Sequence, residues 1–182
     1  GLYFFHAATR ELSPYPIGGH DNQKYDIRSL LLDGDHLWIG TYAKGIRVVN
    51  LRTGAVKVYT HSRGIPYTIC SNDVLCFYRG RNGEIYVGTS WGLCRYDAAK
   101  DNFMPIINIG SMISITDMHE DMYNHLWIAT SSSGVFTYNT INGHYKNYQH
   151  EREDSTTITS NSVITLFEDV KGTMWFGTNG GG

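Results

Sequence analysis

The sequence predicts an all-β fold assembled from four-stranded antiparallel repeats. Three observations carry that prediction. A five-residue phrase ending in a small residue and threonine occurs four times, two further phrases accompany it in a fixed order, and every phrase is short and rich in β-branched and aromatic residues. The recurring phrase is Leu37-Trp38-Ile39-Gly40-Thr41, Ile85-Tyr86-Val87-Gly88-Thr89, Leu126-Trp127-Ile128-Ala129-Thr130 and Met174-Trp175-Phe176-Gly177-Thr178. Its aromatic positions 38, 86, 127 and 175 lie 48, 41 and 48 residues apart, a period that means propeller blades or solenoid turns.

Each unit reads in the same order. A first strand is predicted at Ile27 to Leu32, Val74 to Arg79, Ile115 to Glu120 and Val163 to Glu168. Polar turns follow, with Asp33-Gly34, Asn82-Gly83, Tyr123-Asn124 and Lys171-Gly172, residues suited to tight hairpins. The Gly-Thr phrase is the second strand. Gly45 to Asn50, Gly92 to Asp97 and Gly134 to Asn139 form the third, and Gly1-Leu2-Tyr3-Phe4-Phe5-His6 repeats it without a predecessor. Val56 to Tyr59 and Tyr145 to Tyr148 are the clearest fourth strands. Four antiparallel strands in about 45 residues make one β-propeller blade. A β-helical solenoid is the rival architecture, but it would not use hairpin turns so regularly. Val74, Ile115 and Val163 are expected near the axis and the tryptophans between sheets. Gly40, Gly88 and Gly177 are expected where backbones approach closely, with Ala129 as the smallest substitute.

The expected division is outer strands of one blade at 1–24, blades at 25–66, 67–112 and 113–156, and inner strands of a further blade at 157–182. On this reading the N-terminus is cut, and the chain is a propeller fragment whose end halves are complementary. They would complete a blade within one chain, complete it between two chains, or belong to an arc excised from a longer array.

Composition narrows the partners. The 182 residues are 41% hydrophobic and 13% aromatic, enough for a core, and 15 basic against 17 acidic residues are scattered without a run of like charge. Neither nucleic acid nor membrane contact is implied. No apolar stretch approaches the roughly 20 residues that span a bilayer. Cys70, Cys76 and Cys94 lack CxxC or metal-ligand spacing and read as packed thiols. The eight histidines lack HxH or HExxH spacing, no calcium loop is present, and Gly180 to Gly182 lack the lysine and helix of a phosphate loop. No metal or cofactor is therefore expected.

Catalysis has little support. Glycoside hydrolysis needs two acids across a cleft, whereas Asp33, Asp35, Glu84, Glu120, Asp121, Glu168 and Asp169 fall mostly on repeated hairpin turns. His119-Glu120-Asp121 begins such a turn and not a phosphoacceptor helix. Binding residues are expected on the face carrying the second-to-third-strand turns and the blade joins. Candidates there are Trp91, Tyr42, Lys44, His61, Arg63, Tyr67, His150 and Arg152, with Ser131 to Ser133 and Asn179. A sugar ring can stack on Trp91, and Arg63 and Arg152 beside His61 and His150 can grip an acidic sugar.

The pattern Glu-Asp-x-x-Gly-x-(Leu/Met)-Trp-(Ile/Phe)-Gly-Thr, then Gly-Leu-x-x-Tyr-(Asp/Asn), resembles the regulator-propeller repeat of bacterial hybrid two-component sensors. Glu168 to Thr178, with Ser160-Asn161-Ser162-Val163 upstream, matches it best. Tyr86 in place of tryptophan, Ala129 in place of glycine, and the shortened turn Asp33-Gly34-Asp35 depart from it. The resemblance implies the periplasmic sensor portion of an inner-membrane histidine kinase, a homodimer that detects an oligosaccharide without acting on it. The alternatives are a propeller scaffold for protein contacts and a glycan-active enzyme.

Overall fold

The computed structural model describes residues 1–17, 25–106 and 112–181, and these contain strands and turns with no helix. The boundary expected after residue 24, and Gly182, lie outside the described residues. Among the described residues sixteen strands form five antiparallel sheets. Strands β1 (Leu2–His6) and β2 (Glu11–Tyr15) pair as a hairpin. The first four-stranded sheet is β3 (Ile27–Asp33), β4 (His36–Thr41), β5 (Ile46–Asn50) and β6 (Val56–Tyr59). The second is β7 (Val74–Arg79), β8 (Ile85–Thr89), β9 (Gly92–Asp97) and β10 (Asn102–Pro105). The third is β11 (Ile115–Glu120), β12 (His125–Thr130), β13 (Val135–Asn139) and β14 (Tyr145–Tyr148), and β15 (Val163–Glu168) pairs with β16 (Met174–Thr178). Within each sheet the strands follow in chain order. These are propeller blades, and the predicted first strands coincide with the observed ones to within one residue.

The core lies between sheets. Trp38, Ile46 and Val48 of one blade pack with Val74, Val87, Cys94 and Phe103 of the next. Tyr86 and Leu93 pack in the same way against Ile115, Leu126 and Ile128, and Ala129 and Val135 against Val163 and Leu166. Val74, Ile115 and Val163 have no exposed surface, as expected of inner-strand residues. First strands of adjacent blades stand side by side, β3 on β7, β7 on β11 and β11 on β15. The small residue of the Gly-Thr phrase makes this possible. A Cβ on Gly40 would stand 2.7 Å from Val74 Cγ1, and one on Gly88 would stand 2.5 Å from Cys76 Sγ and 2.8 Å from Ile115 Cγ2.

Each first strand carries a β-bulge at the same place, between Ile27 and Ser29, Val74 and Cys76, Ile115 and Asp117, and Val163 and Thr165. In β3, β7 and β11 the bulge turns one polar side chain toward the next blade, where it meets backbone. Ser29 Oγ accepts the Phe77 N–H at 3.1 Å, and the Cys76 thiol donates to Ile115 O at 3.6 Å. Asp117 Oδ2 accepts both the Leu166 N–H at 2.8 Å and the Thr165 hydroxyl at 2.9 Å.

Candidate ligand-binding face

The turns between second and third strands are short because threonine and glycine close them together. Thr41 Oγ1 donates to Gly45 O at 2.7 Å, Thr89 to Gly92 O at 2.8 Å and Thr130 to Gly134 O at 2.7 Å. Gly45 has φ +71°, and a Cβ there would stand 2.2 Å from Tyr59 O, so only glycine fits. Each such turn therefore projects two or three residues from a rigid base onto one face.

Tyr42 and Trp91 occupy corresponding turns of adjacent blades, 52% and 57% exposed. Asp73, at the entry to β7, joins those turns. Its Oδ1 accepts the Ala43 N–H at 2.6 Å, its Oδ2 receives the Ser90 hydroxyl at 3.5 Å, and its carbonyl accepts the Ser90 N–H at 3.0 Å. Asp73 was not among the sequence candidates. Its signal was position, immediately before a buried inner-strand valine. The Arg28 guanidinium lies 5.3 Å from the Tyr42 ring centre, and Lys44 Nζ lies 5.0 Å from that of Tyr25. Tyr67 is 52% exposed on the blade join at φ +63°, its carbonyl accepting the Phe103 N–H at 2.9 Å. Ser131, Ser133 and Asn179 hold the later turns through backbone bonds to Ser114 O, Thr130 Oγ1 and Ser162 O.

His61 and His150 have the same local task in two blade joins. The ring Nδ1 of His61 lies 2.8 Å from Ile69 O, and that of His150 lies 2.9 Å from Ile158 O. A carbonyl only accepts, so both rings donate from Nδ1. Their backbone N–H groups go to Asn72 Oδ1 and Asn161 Oδ1, each at 2.7 Å. These histidines brace the loops that carry Arg63 and Arg152, both exposed.

The opposite face carries the repeated acids. Asp121 Oδ1 accepts the N–H groups of Tyr123 and His125 at 2.8 and 3.0 Å, and Oδ2 accepts Trp127 Nε1–H at 2.8 Å. Asp169 repeats the arrangement with Lys171 and Thr173 at 2.9 and 3.0 Å and Trp175 Nε1 at 3.1 Å. Burial pushes the Asp121 carboxyl up, but the indole and backbone N–H groups outweigh it and hold the group below its ordinary value. The Thr173 N–H and the Trp175 indole lower Asp169 in the same way. These carboxylates are committed to turn and indole. Among the described residues no three His, Cys, Asp or Glu side chains converge on a metal position.

The family model described as "Two component regulator propeller" matches residues 157–180. A 75-residue stretch, 41% of this chain, is 36% identical to histidine kinase P4 of Formosa agariphila and spans 5% of that protein. The extracellular domain of a hybrid two component system from B. thetaiotaomicron superposes on the whole chain with a TM-score of 0.77 at 25% identity, over 23% of its own length. A second such domain from B. thetaiotaomicron covers 88% of this chain, and 27% of that domain, with a TM-score of 0.60 at 21% identity. The chain thus spans a small part of each relative. The repeat pattern and the shared fold converge: residues 157–180 match the two component regulator propeller repeat, within a chain whose blades have the fold of the extracellular domains of hybrid two-component systems.

Proposed function

We propose that this chain is part of the extracellular, periplasm-facing propeller of a hybrid two-component sensor histidine kinase, and that it detects an oligosaccharide by binding without chemistry. The observation that carries the reading is the superposition of the entire chain on the extracellular domain of such a system at 25% identity. The relative over 75 residues, named as a histidine kinase, supports the same parent class. The kinase and the membrane segment belong to the parent protein, as does the homodimer through which the signal passes.

The ligand reading rests on Trp91, Tyr42 and Tyr67, three half-exposed aromatics on one face. Asp73 fixes the spacing of the first two turns, so a sugar ring meets a preorganised platform and little ordering cost is left for binding. Titration calorimetry of the chain against a panel of plant and algal oligosaccharides tests this. Saturable binding without turnover is expected for at least one glycan, weakened about tenfold by Trp91→Ala, the loss of roughly 1.4 kcal/mol. Uniform absence of binding would leave a scaffold for protein contacts, and product release would make the chain an enzyme.

A further inference from the structure

The repeated Trp–Asp contact is missing from two blades, and in one of them the gap lies beside a cavity. Trp127 and Trp175 each donate their indole N–H to the first carboxylate of their own hairpin turn. The second blade replaces both members, with Gly80 at the aspartate position and Tyr86 at the tryptophan position, and the Tyr86 hydroxyl donates to Glu84 at 2.9 Å. The first blade keeps both residue types but loses the contact. Its turn runs from Leu32 to Leu37, one residue shorter than that from Glu168 to Met174, and Asp33 pairs with His36 across the hairpin. The Asp33 carboxylate lies instead 3.1 Å from Arg79 Nη2 of the next blade. Trp38 Nε1 is left buried with no acceptor among the described residues, while the whole side chain is 4% exposed. An unsatisfied buried donor is costly and invites an explanation.

Trp38 lines a cavity of about 390 Å³ at the seam between two complete four-stranded blades, on the face opposite Trp91. Trp38 and Tyr59 stack with ring planes 6° apart, and Tyr96 meets Trp38 edge-on at 4.9 Å. His36 and Asn50, 3.3 Å apart, stand at the rim with Asp33 and Lys57. Both charged groups are already compensated, Asp33 by Arg79 and Lys57 by Asp101, so the lining carries no unbalanced charge for an ionic ligand. Aromatic walls, the polar His36 and Asn50 side chains at the rim, and one buried N–H lacking an acceptor suit a neutral polyhydroxylated ring.

We propose that this seam cavity is a second binding site, for a single neutral sugar residue or its terminal disaccharide, whose oxygen supplies the acceptor that the shortened turn withholds from Trp38. The N–H is buried, so the ligand must displace part of the lining to reach it, and Thr53 and Ala55 on the exposed turn between β5 and β6 form the outer part of that lining. The proposal borrows from the sensor reading only the kind of ligand. The site itself stands on the Trp38 geometry.

The test uses the four tryptophan indole N–H resonances of the ¹⁵N-labelled chain, titrated with methyl glucoside, methyl galactoside, methyl mannoside, cellobiose and laminaribiose. A saturable shift of the Trp38 resonance with one of them is expected, with Trp127 and Trp175 unmoved. His36→Ala, at the exposed rim, should weaken it about tenfold. Grafting Asp-Val-Lys-Gly-Thr in place of Asp33 to His36 restores the longer turn, and it should abolish the shift while raising Tm. A Trp38 resonance that moves with none of the probes overturns the proposal, as does one that the graft leaves responsive. A shift confined to Trp91 overturns this site while supporting the exposed platform, so the two readings fail separately.

Discussion

At the residue scale, the repeat spelled out its own hydrogen bonds. The threonine of the Gly-Thr phrase recurs because its hydroxyl closes the next turn, and the turn aspartate recurs because it accepts two backbone N–H groups and an indole. The acids read as turn chemistry are used that way at Asp121 and Asp169. The same logic was available for His61 and His150, each eleven residues before an asparagine, but a histidine near an arginine on a loop reads equally well as a ligand contact. A lone sequence cannot separate bracing from binding. The aspartates make a pH prediction. Both carboxyls lie below the ordinary value of 3.8 in the folded chain. Their stabilising effect is therefore complete above about pH 4 and is lost as pH falls through the depressed folded values. Tm followed by circular dichroism should be flat near neutrality and drop below pH 4, with a shallower drop in Asp121→Asn. Asp121→Ala should cost about 2–3 kcal/mol in urea unfolding at pH 7, because it orphans the Trp127 indole along with two turn N–H groups.

At the scale of the element, the first three strands of each blade and their turns were legible almost to the residue, since hydrophobic phrases and Gly or Asn punctuation mark their ends, whereas the outer strands β2 and β10 carry no such phrase and were not placed. The bulges were not. A one-residue register shift leaves no compositional mark, and Ser29, Cys76, Asp117 and Thr165 share no residue type. What they share is a position from which a side chain crosses to the adjacent blade. Asp117 makes the strongest use of it, holding one backbone and one hydroxyl donor of β15. Asp117→Ala should accordingly speed hydrogen exchange at Leu166 and across β15 and β16. The amides of β3 to β6, two sheets away, should stay unchanged. A uniform rise across all sheets would assign Asp117 to global stability and not to this seam. The exposed candidates Arg63 and Arg152 show the limit of reading at this scale, since the loops carrying them are fixed by neighbours that the local sequence does not name.

Across the whole molecule, the substantial contacts between sheets join only adjacent ones, along the row of inner strands. The sheet of β7 to β10 has a complete blade on each side, and all five residues of β8 are buried. The hairpin of β1 and β2 exposes Tyr3, Phe5 and Leu12. Hydrogen exchange should consequently be slowest in β8 and fastest in β1 and β2, graded by the number of packed neighbours. Nearest-neighbour packing makes stability a sum of blade and seam contributions. The bulge contacts give that sum a direction. Ser29, Cys76 and Asp117 each reach forward, from one blade to the following one, and are wired in series. Each seam also holds another polar bridge beside its apolar core, Asp33 to Arg79, Glu120 to the Arg81 N–H and His119 to Glu168, so strain introduced by a ligand at one seam spreads to the next blade through several contacts at once.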